Sequence, residues 1–131
     1  MQIGTFGSVI FEVSGQKVLT FDDYSRTVKH RYQTHSILNS KPKLESVGAD
    51  LIEISLKIKF SAFLNVNPKQ ELEKLRRMCE NAEVNFLIIG SEKIGDNQFV
   101  IEEVSEDVKH WTNRGEMLDV DATVKFKEYV K

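Results

Sequence analysis

The segment LIEISLKIKFSAFLNVNPKQELEKLRRMCENAEVNFLIIG, residues 51–90, decides the fold of this chain. Apolar and polar residues alternate over residues 52–61, which is the period-two pattern of a strand with one buried face. Asn67 and Pro68 then predict a helix start, because Asn caps free backbone N–H groups and Pro fits the first helical position. A second apolar strand follows, formed by Val84, Phe86, Leu87, Ile88 and Ile89 and stopped by Gly90. The segment therefore predicts a strand, a helix and a second strand, with the helix lying across a sheet.

The helix predicted after Asn67 has one apolar side at 3.6-residue spacing. This side carries Leu72, Leu75, Met78, Cys79 and Ala82. Cys79 is expected in the core, where a buried thiol stays protonated and is a poor nucleophile. Glu71 projects near the apolar side. It is interpreted as a first-turn carboxylate favoured by the helix dipole, with contact to a neighbouring subunit as the alternative.

Further strands are predicted on both sides of this segment. They cover residues 9–13, residues 18–21 closed by Asp22 and Asp23, residues 28–38, residues 99–108 and residues 118–126. The strand over residues 99–108 has apolar groups on both faces, so it is expected to be bulged or sandwiched. Together these patterns predict an α+β fold: a mainly antiparallel β-sandwich or barrel with one flanking helix, in a single domain over residues 1–131.

The predicted strand over residues 28–38 is polar on both of its faces. A strand with so few apolar residues is not held by a core on either side. This composition favours contact with another polypeptide or with a wet surface. Residues 39–50, which contain Pro42 and Gly48, are predicted to form a loop with a brief extended piece over residues 43–47.

Composition excludes several classes of protein. The chain has 131 residues, is 40% hydrophobic and has a net charge of −2, which gives no general attraction to nucleic acid or to an anionic membrane. It contains no apolar run long enough to span a bilayer and no signal-peptide pattern. The single cysteine fits a reducing compartment. We therefore expect a soluble protein that is cytoplasmic when first made.

No residue pattern indicates a catalytic, cofactor or metal site, so none is predicted. His30 and His35 are five residues apart on a predicted strand, so they point to opposite faces. Asp119 and Asp121 share a strand face and are of a type that binds calcium, but such a pair is more often a solvated strand face. The scattered glycines do not form a phosphate-binding loop before a helix.

Several short motifs resemble a known family when they are taken in order. They are found at residues 4–7, 11–12, 20–23, 41–45, 51–55, 64–68, 71–76, 87–90, 113–115 and 127–130. Their order and spacing resemble the phage tail protein U family of contractile-tailed bacteriophages, which has relatives in R-type bacteriocins. The resemblance spans nearly the whole chain. It implies a structural tail protein with no catalytic residues and no cofactor.

The resemblance also implies a tail-tube-like fold, whose inter-subunit sheets line the lumen of six-fold rings. It implies a ring at the junction of tube and baseplate, which starts the tube or joins it to the hub. The implied partners are copies of itself and the tail tube, hub, baseplate and tape measure proteins. No membrane and no specific nucleic-acid sequence is among them. The implied location is the cytoplasm during assembly, then the virion tail or bacteriocin particle.

Under this resemblance, residues 28–38 are interpreted as an extended arm that pairs with neighbouring copies. Residues 39–50 are interpreted as reaching the next ring. The predicted assembly interface consists of Lys29, Arg31, Tyr32, Gln33, His35, Lys41 and Lys43. The alternatives are a terminator at the other end of the tube, a protein-binding adaptor outside any virion, and a hydrolase that uses Asp or His.

Overall fold

The computed structural model describes residues 2–7, 9–13, 18–61, 67–90 and 92–130. In this part of the chain the strands are β1 (Gln2–Phe6), β2 (Val9–Val13), β3 (Val18–Thr27), β4 (His30–His35), β5 (Lys43–Ala49), β6 (Glu53–Ser61), β7 (Leu87–Ile89), β8 (Glu92–Lys93), β9 (Gln98–Trp111) and β10 (Met117–Tyr129). Helix α1 (Pro68–Glu80) lies between β6 and β7. The described residues therefore have the expected α+β fold with one helix.

Eight strands form one antiparallel sheet in the order β8-β7-β1-β2-β3-β6-β10-β9. Two hydrogen bonds join Asn85 and Phe99: each backbone N–H donates to the other's carbonyl, at 3.1 and 2.8 Å. Asn85 lies just before β7 and Phe99 lies in β9. The bridge therefore joins the segment before β7, which lies next to the short end strand β8, to the end strand β9, and so closes the sheet as a β-barrel.

The core is built by the alternating strands that the sequence predicts. On β6 and β10 every second side chain is buried, and these residues are Ile54, Leu56, Ile58, Phe60, Val120, Ala122, Val124 and Phe126. Helix α1 covers this interior with Leu72, Leu75 and Met78, which are also buried. The predicted placement of the helix across a sheet is confirmed.

Both ends of α1 have capping contacts. Asn67 Oδ1 accepts a hydrogen bond from Gln70 N at 3.3 Å, and Pro68 is the first helical residue, as predicted. At the other end Ala82 N donates to Cys79 O and Glu83 N donates to Met78 O, which is a Schellman motif with Ala82 in the left-handed conformation at φ 51°.

One prediction for α1 was wrong. Ala82 is exposed and does not belong to the apolar side of the helix, because the helix ends before it at Glu80. Cys79 packs against the core as expected, although it is only half-buried, and its Sγ lies 3.9 Å from the carbonyl oxygen of Glu102.

Bulges shape two of the strands. The prediction that Asp22 and Asp23 end a strand was wrong, since β3 continues to Thr27. Asp22 pairs with Lys57 and Ser25 with Ser55, so two residues of β3 face one of β6, and Asp23 adopts a φ of 52°. The predicted bulge in the strand over residues 99–108 is confirmed at Glu102, where the register of β9 shifts.

Candidate assembly interface

A two-stranded hairpin extends beyond the barrel. β4 and β5 pair only with each other, from His30 opposite Ala49 to His35 opposite Lys43. β4 follows β3 and β5 precedes β6, so the hairpin prolongs the β3-β6 pair. Six strand residues span about 20 Å, and every residue from Val28 to Val47 is exposed. Residues 28–50 are named the arm below.

The structure changes the predicted boundaries of the arm strands. The expected strand over residues 28–38 is limited to β4, but the expectation that it has no buried face is confirmed. The brief extended piece predicted over residues 43–47 is confirmed as part of β5, but the strand runs on to Ala49, so the expected loop does not reach residue 50. Gly48 does not mark a loop, because it lies within β5. It lies beside a bulge at Val47 with a φ of 115°, a conformation that side chains rarely adopt.

Hydrogen bonds attach the base of the arm firmly to the barrel. Asp50 N donates to Lys29 O at 3.0 Å across the hairpin. Ile52 and Glu128 form a second connection, since Glu128 N donates to Ile52 O at 2.9 Å and Ile52 N donates to Glu128 Oε1 at 3.2 Å. Asn97 Nδ2 donates to Glu128 Oε2 at 2.9 Å. The arm therefore starts from a base that is linked to β10 and to the turn before β9.

The arm carries a concentration of exposed apolar side chains. Among the described residues, twelve large apolar side chains are exposed, and six of them lie on the arm: Val28, Tyr32, Ile37, Leu38, Leu44 and Val47. Leu38, near the tip, is 89% exposed and Leu44 is 66% exposed. Clustered exposed apolar groups mark interaction surfaces more often than isolated ones do. The arm is therefore the strongest candidate interface in the described part of the chain.

All seven residues that the sequence predicts for the interface lie on the arm and are exposed. Lys29 is at the base, Lys41 is in the connection between the strands, Lys43 begins β5, and the others lie on β4. Sequence reasoning missed the apolar contributors, Leu44 and Val47 on β5 and Leu38 near the tip. Leu44 and Val47 were predicted to lie in a brief extended piece within a loop, and neither they nor Leu38 were assigned to the interface.

Contacts within the arm keep its side chains close to its own backbone. The His35 imidazole contacts the Glu45 carboxylate, and the rings of His30 and Tyr32 lie 4.8 Å apart. Arg31 Nη2 lies 3.5 Å from Val47 O. These contacts are exposed and therefore individually weak.

The outer face of β6, β10 and β9 is charged, with ion pairs between neighbouring strands. Lys57 lies 3.7 Å from Asp121, and Lys125 lies 3.6 Å from Glu103. The His110 imidazole lies 2.8 Å from the carboxylate of Asp119. The Asp119 and Asp121 face is thus an outer strand face with basic partners. No group of three His, Cys, Asp or Glu residues within the described ranges is arranged to hold a metal ion.

The Asp107 and Lys109 side chains form another exposed pair on β9, 2.7 Å apart. The hydrogen bond and the positive charge of Lys109 lower the pKa of Asp107, and the same contact raises the pKa of Lys109. Both shifts stabilise the charged forms, so this pair stays ionised at neutral pH and acts as part of the charged surface.

A groove lies between the start of α1 and the turn that joins β9 to β10. Its lining mixes apolar and charged side chains, among them Pro68, Arg76, Trp111, Glu116 and Leu118. Arg76 also lies 3.4 Å from Glu106 of β9. If the chain were a hydrolase, which is one of the alternatives, its catalytic polar groups would have to converge in such a groove.

Comparison with known proteins identifies the family. The family described as Phage P2 GpU matches residues 7–131, which is nearly the whole chain. A search of curated proteins gives no match. Within the described residues, no helix combines the length and the apolar composition that crossing a membrane requires. The chain therefore belongs to the Phage P2 GpU family and is a phage tail structural protein.

Proposed function

We propose that this chain forms a ring at the junction of tube and baseplate in a contractile phage tail or a related particle such as an R-type bacteriocin. There it starts the tail tube or joins it to the hub. The proposed role is structural, without catalysis or cofactor. The observation that carries the proposal is the arm, which is exposed and bears six exposed large apolar side chains on a chain of a phage tail family.

An arm of this kind supports ring formation for a physical reason. A two-stranded hairpin is only marginally stable in water, and this one leaves both outer strand edges and six large apolar side chains exposed. Contact with a neighbour removes apolar area from water and pairs exposed backbone groups. When the contact runs head to tail, repetition closes a ring if the rotation per copy fits. Six copies are proposed from the rings of similar tube proteins.

The proposed partners are further copies of this chain, the tail tube, the hub and baseplate, and the tape measure protein. The whole chain, residues 1–131, is proposed to act as one tail-tube-like domain that assembles in the cytoplasm and ends in the particle. Within the arm, the proposed contact residues are Lys29, Arg31, Tyr32, Gln33, His35, Lys41 and Lys43.

Removal of the arm tests the proposal. Lys29 O and Asp50 N are already hydrogen-bonded, so residues 31–48 can be replaced by an Asn-Gly turn that joins His30 to Ala49. The variant is compared with the full chain in a producing strain that lacks the native gene. Circular dichroism and thermal unfolding check that the barrel remains folded.

We expect a folded armless protein that fails to restore intact particles, as counted by electron microscopy. Normal numbers of intact particles with the armless chain would overturn the proposal. Gold-labelled chain at the baseplate end of the tube supports the proposed position. Label at the opposite end, together with tubes of uncontrolled length, would favour the terminator alternative. Intact particles in a strain without the gene would favour the adaptor.

A further inference from the structure

The arm has two faces of different composition. Residues that pair directly across an antiparallel hairpin point to the same side, and successive residues of a strand alternate between sides. By this rule one side, named the charged face below, carries Arg31, Gln33, His35, Lys43 and Glu45. The contact between the His35 imidazole and the Glu45 carboxylate agrees with this assignment.

The opposite side of the arm is named the aromatic face, and it carries His30, Tyr32, Thr34, Leu44 and Ser46. The rings of His30 and Tyr32 lie 4.8 Å apart on it, and the His30 imidazole contacts the Ser46 hydroxyl. Aromatic and apolar anchors of this kind supply most of the affinity of protein interfaces. The charged face has no such anchor, so the two faces suit different partners.

Basic residues lie at both ends of the arm. Lys29 and Arg31 are near its base, and Lys41 and Lys43 are near its tip. The arm contains four lysine or arginine residues and two acidic residues, which is a net charge of +2. Because the whole chain has a net charge of −2, the residues outside the arm carry −4. The positive charge is therefore concentrated on the arm.

These four basic side chains are not neutralised within the described part of the chain. None of them forms an ion pair with a described carboxylate, and the Arg31 guanidinium reaches only the carbonyl oxygen of Val47, at 3.5 Å. By contrast, three lysines on the barrel strands each contact a carboxylate: Lys57, Lys109 and Lys125. The arm cations are thus free to meet an anionic partner.

The composition of the charged face favours nucleic acid over an acidic protein surface. Lysine is depleted from the cores of protein interfaces, whereas lysine and arginine hold a phosphate backbone by releasing its counterions and need no apolar contact. The six residues of β4 span about 20 Å. A duplex of that length carries about twelve phosphates, so the cations at both ends of the arm can meet phosphates together.

We propose that the charged face of the arm binds the phosphate backbone of double-stranded DNA without reading its sequence. The contact residues are Lys29, Arg31, Lys41 and Lys43. The inference rests on the proposed function in one respect, since it names a partner for basic residues of the proposed interface and leaves the contact between copies to the aromatic face. Because only a local patch of the chain is basic, the binding is weak and depends strongly on salt.

Titration of a short fluorescein-labelled duplex of mixed sequence with the purified full chain, followed by fluorescence anisotropy, tests the proposal. In about 50 mM salt we expect a Kd of about 100 µM or tighter. Four phosphate contacts give a slope of about −3.6 for log K against log salt, so doubling the salt should weaken binding about twelvefold. A second duplex of unrelated sequence should bind equally well.

A neutralised chain assigns the binding to the arm. Arg31→Gln with Lys43→Gln removes two phosphate contacts, which should halve the salt slope to about −1.8 and weaken binding at least about tenfold in about 50 mM salt. Lys69→Gln with Arg77→Gln removes the same charge from the exposed side of α1 and should keep the slope of the unchanged chain. Thermal unfolding verifies that both variants are folded.

Three results would overturn the inference. One is the absence of binding at protein concentrations up to about 1 mM in about 50 mM salt, ten times the weak end of ordinary non-specific affinities. Another is an equal loss of affinity in the neutralised chain and the α1 control, which would show a general charge effect. The third is displacement of the duplex by polyglutamate as readily, per charge, as by unlabelled DNA, which would make an acidic polypeptide the partner.

Failure of this inference is distinguishable from failure of the proposed function. DNA binding is measured on the purified chain, whereas the proposed function is decided by particle numbers with the armless chain. If the full chain does not bind DNA and the armless chain fails to assemble, only the DNA inference falls. If the full chain binds DNA and a folded armless chain assembles normally, only the proposed function falls.

Discussion

The same chemical change at two leucines should have very different effects on stability. Leu72 on α1 is fully buried, whereas Leu44 on the arm is 66% exposed. Leu72→Ala removes three carbon atoms from the core, which costs about 2.4 kcal/mol in transfer free energy. The cavity that remains adds to this, so the expected loss in free energy of unfolding is about 2–5 kcal/mol.

The corresponding loss at Leu44 is much smaller. Only about a third of its side chain is shielded from water, so Leu44→Ala should cost at most about 0.8 kcal/mol, and no closed cavity forms. For a chain of 131 residues, about 4 °C of Tm corresponds to 1 kcal/mol. Leu72→Ala should therefore lower Tm by roughly 8–20 °C, and Leu44→Ala by no more than about 3 °C.

Urea unfolding followed by circular dichroism, at protein concentrations where the chain is monomeric, measures both losses. The slope of the free energy against urea should not change, because neither variant alters the area exposed on unfolding. A loss below about 1 kcal/mol for Leu72→Ala would refute the packing of α1 against the barrel interior. Equal losses for the two variants would refute the exposed placement of the arm.

Three further substitutions test separate features. Asn67→Ala should lower the free energy of unfolding by about 1 kcal/mol, because the Gln70 N–H loses its cap, and Lys69→Ala serves as an exposed control in urea titrations. Ala82→Gly should raise it by about 1 kcal/mol, since glycine adopts the left-handed conformation without a steric cost; a destabilised variant would contradict the Schellman geometry. Tyr32→Pro should leave the Tm of the barrel within about 2 °C of wild type and reduce particle assembly. The control Tyr32→Phe should preserve assembly. Normal assembly of the proline variant would show that β4 is not part of the interface.

The parts of the fold that sequence predicts well are those with a strong local signal. β6 and residues 118–127 of β10 alternate apolar and polar residues, and one register alone buries Ile54, Leu56 and Val124. The start of α1 is equally local, because Asn67 and Pro68 satisfy the needs of a helix end within four residues. These predictions required no knowledge of the remainder of the chain.

The features that sequence missed depend on pairing between distant segments. β5 was predicted only as a brief extended piece within a loop, because β4 provides a partner that a local pattern does not reveal. The continuation of β3 beyond Asp23 has the same explanation, since β6 holds both sides of the bulge in register. The position of β9 at one end of the sheet follows from the order of the strands, which residue periodicity does not determine.

The polar interface residues were found from the absence of apolar side chains on β4, whereas the apolar ones required knowledge of the hairpin. Leu44 and Val47 become part of the same surface as Tyr32 only because β5 folds back on β4. The sequence alone therefore located the arm, and the structure was needed to show which side chains form its surface.

The double hydrogen bond between Ile52 and Glu128 has a mechanical consequence. A force that pulls the arm along its strands is transmitted to the barrel through β3 and β6. The hydrogen bonds between β3 and β6 lie perpendicular to this force, so they resist it together. The bonds to Glu128 carry part of the same load into β10, the most extensively paired strand of the core. The arm therefore acts as a tether and not as a hinge. In the proposed ring, such a tether would keep neighbouring copies together when force passes along the arm.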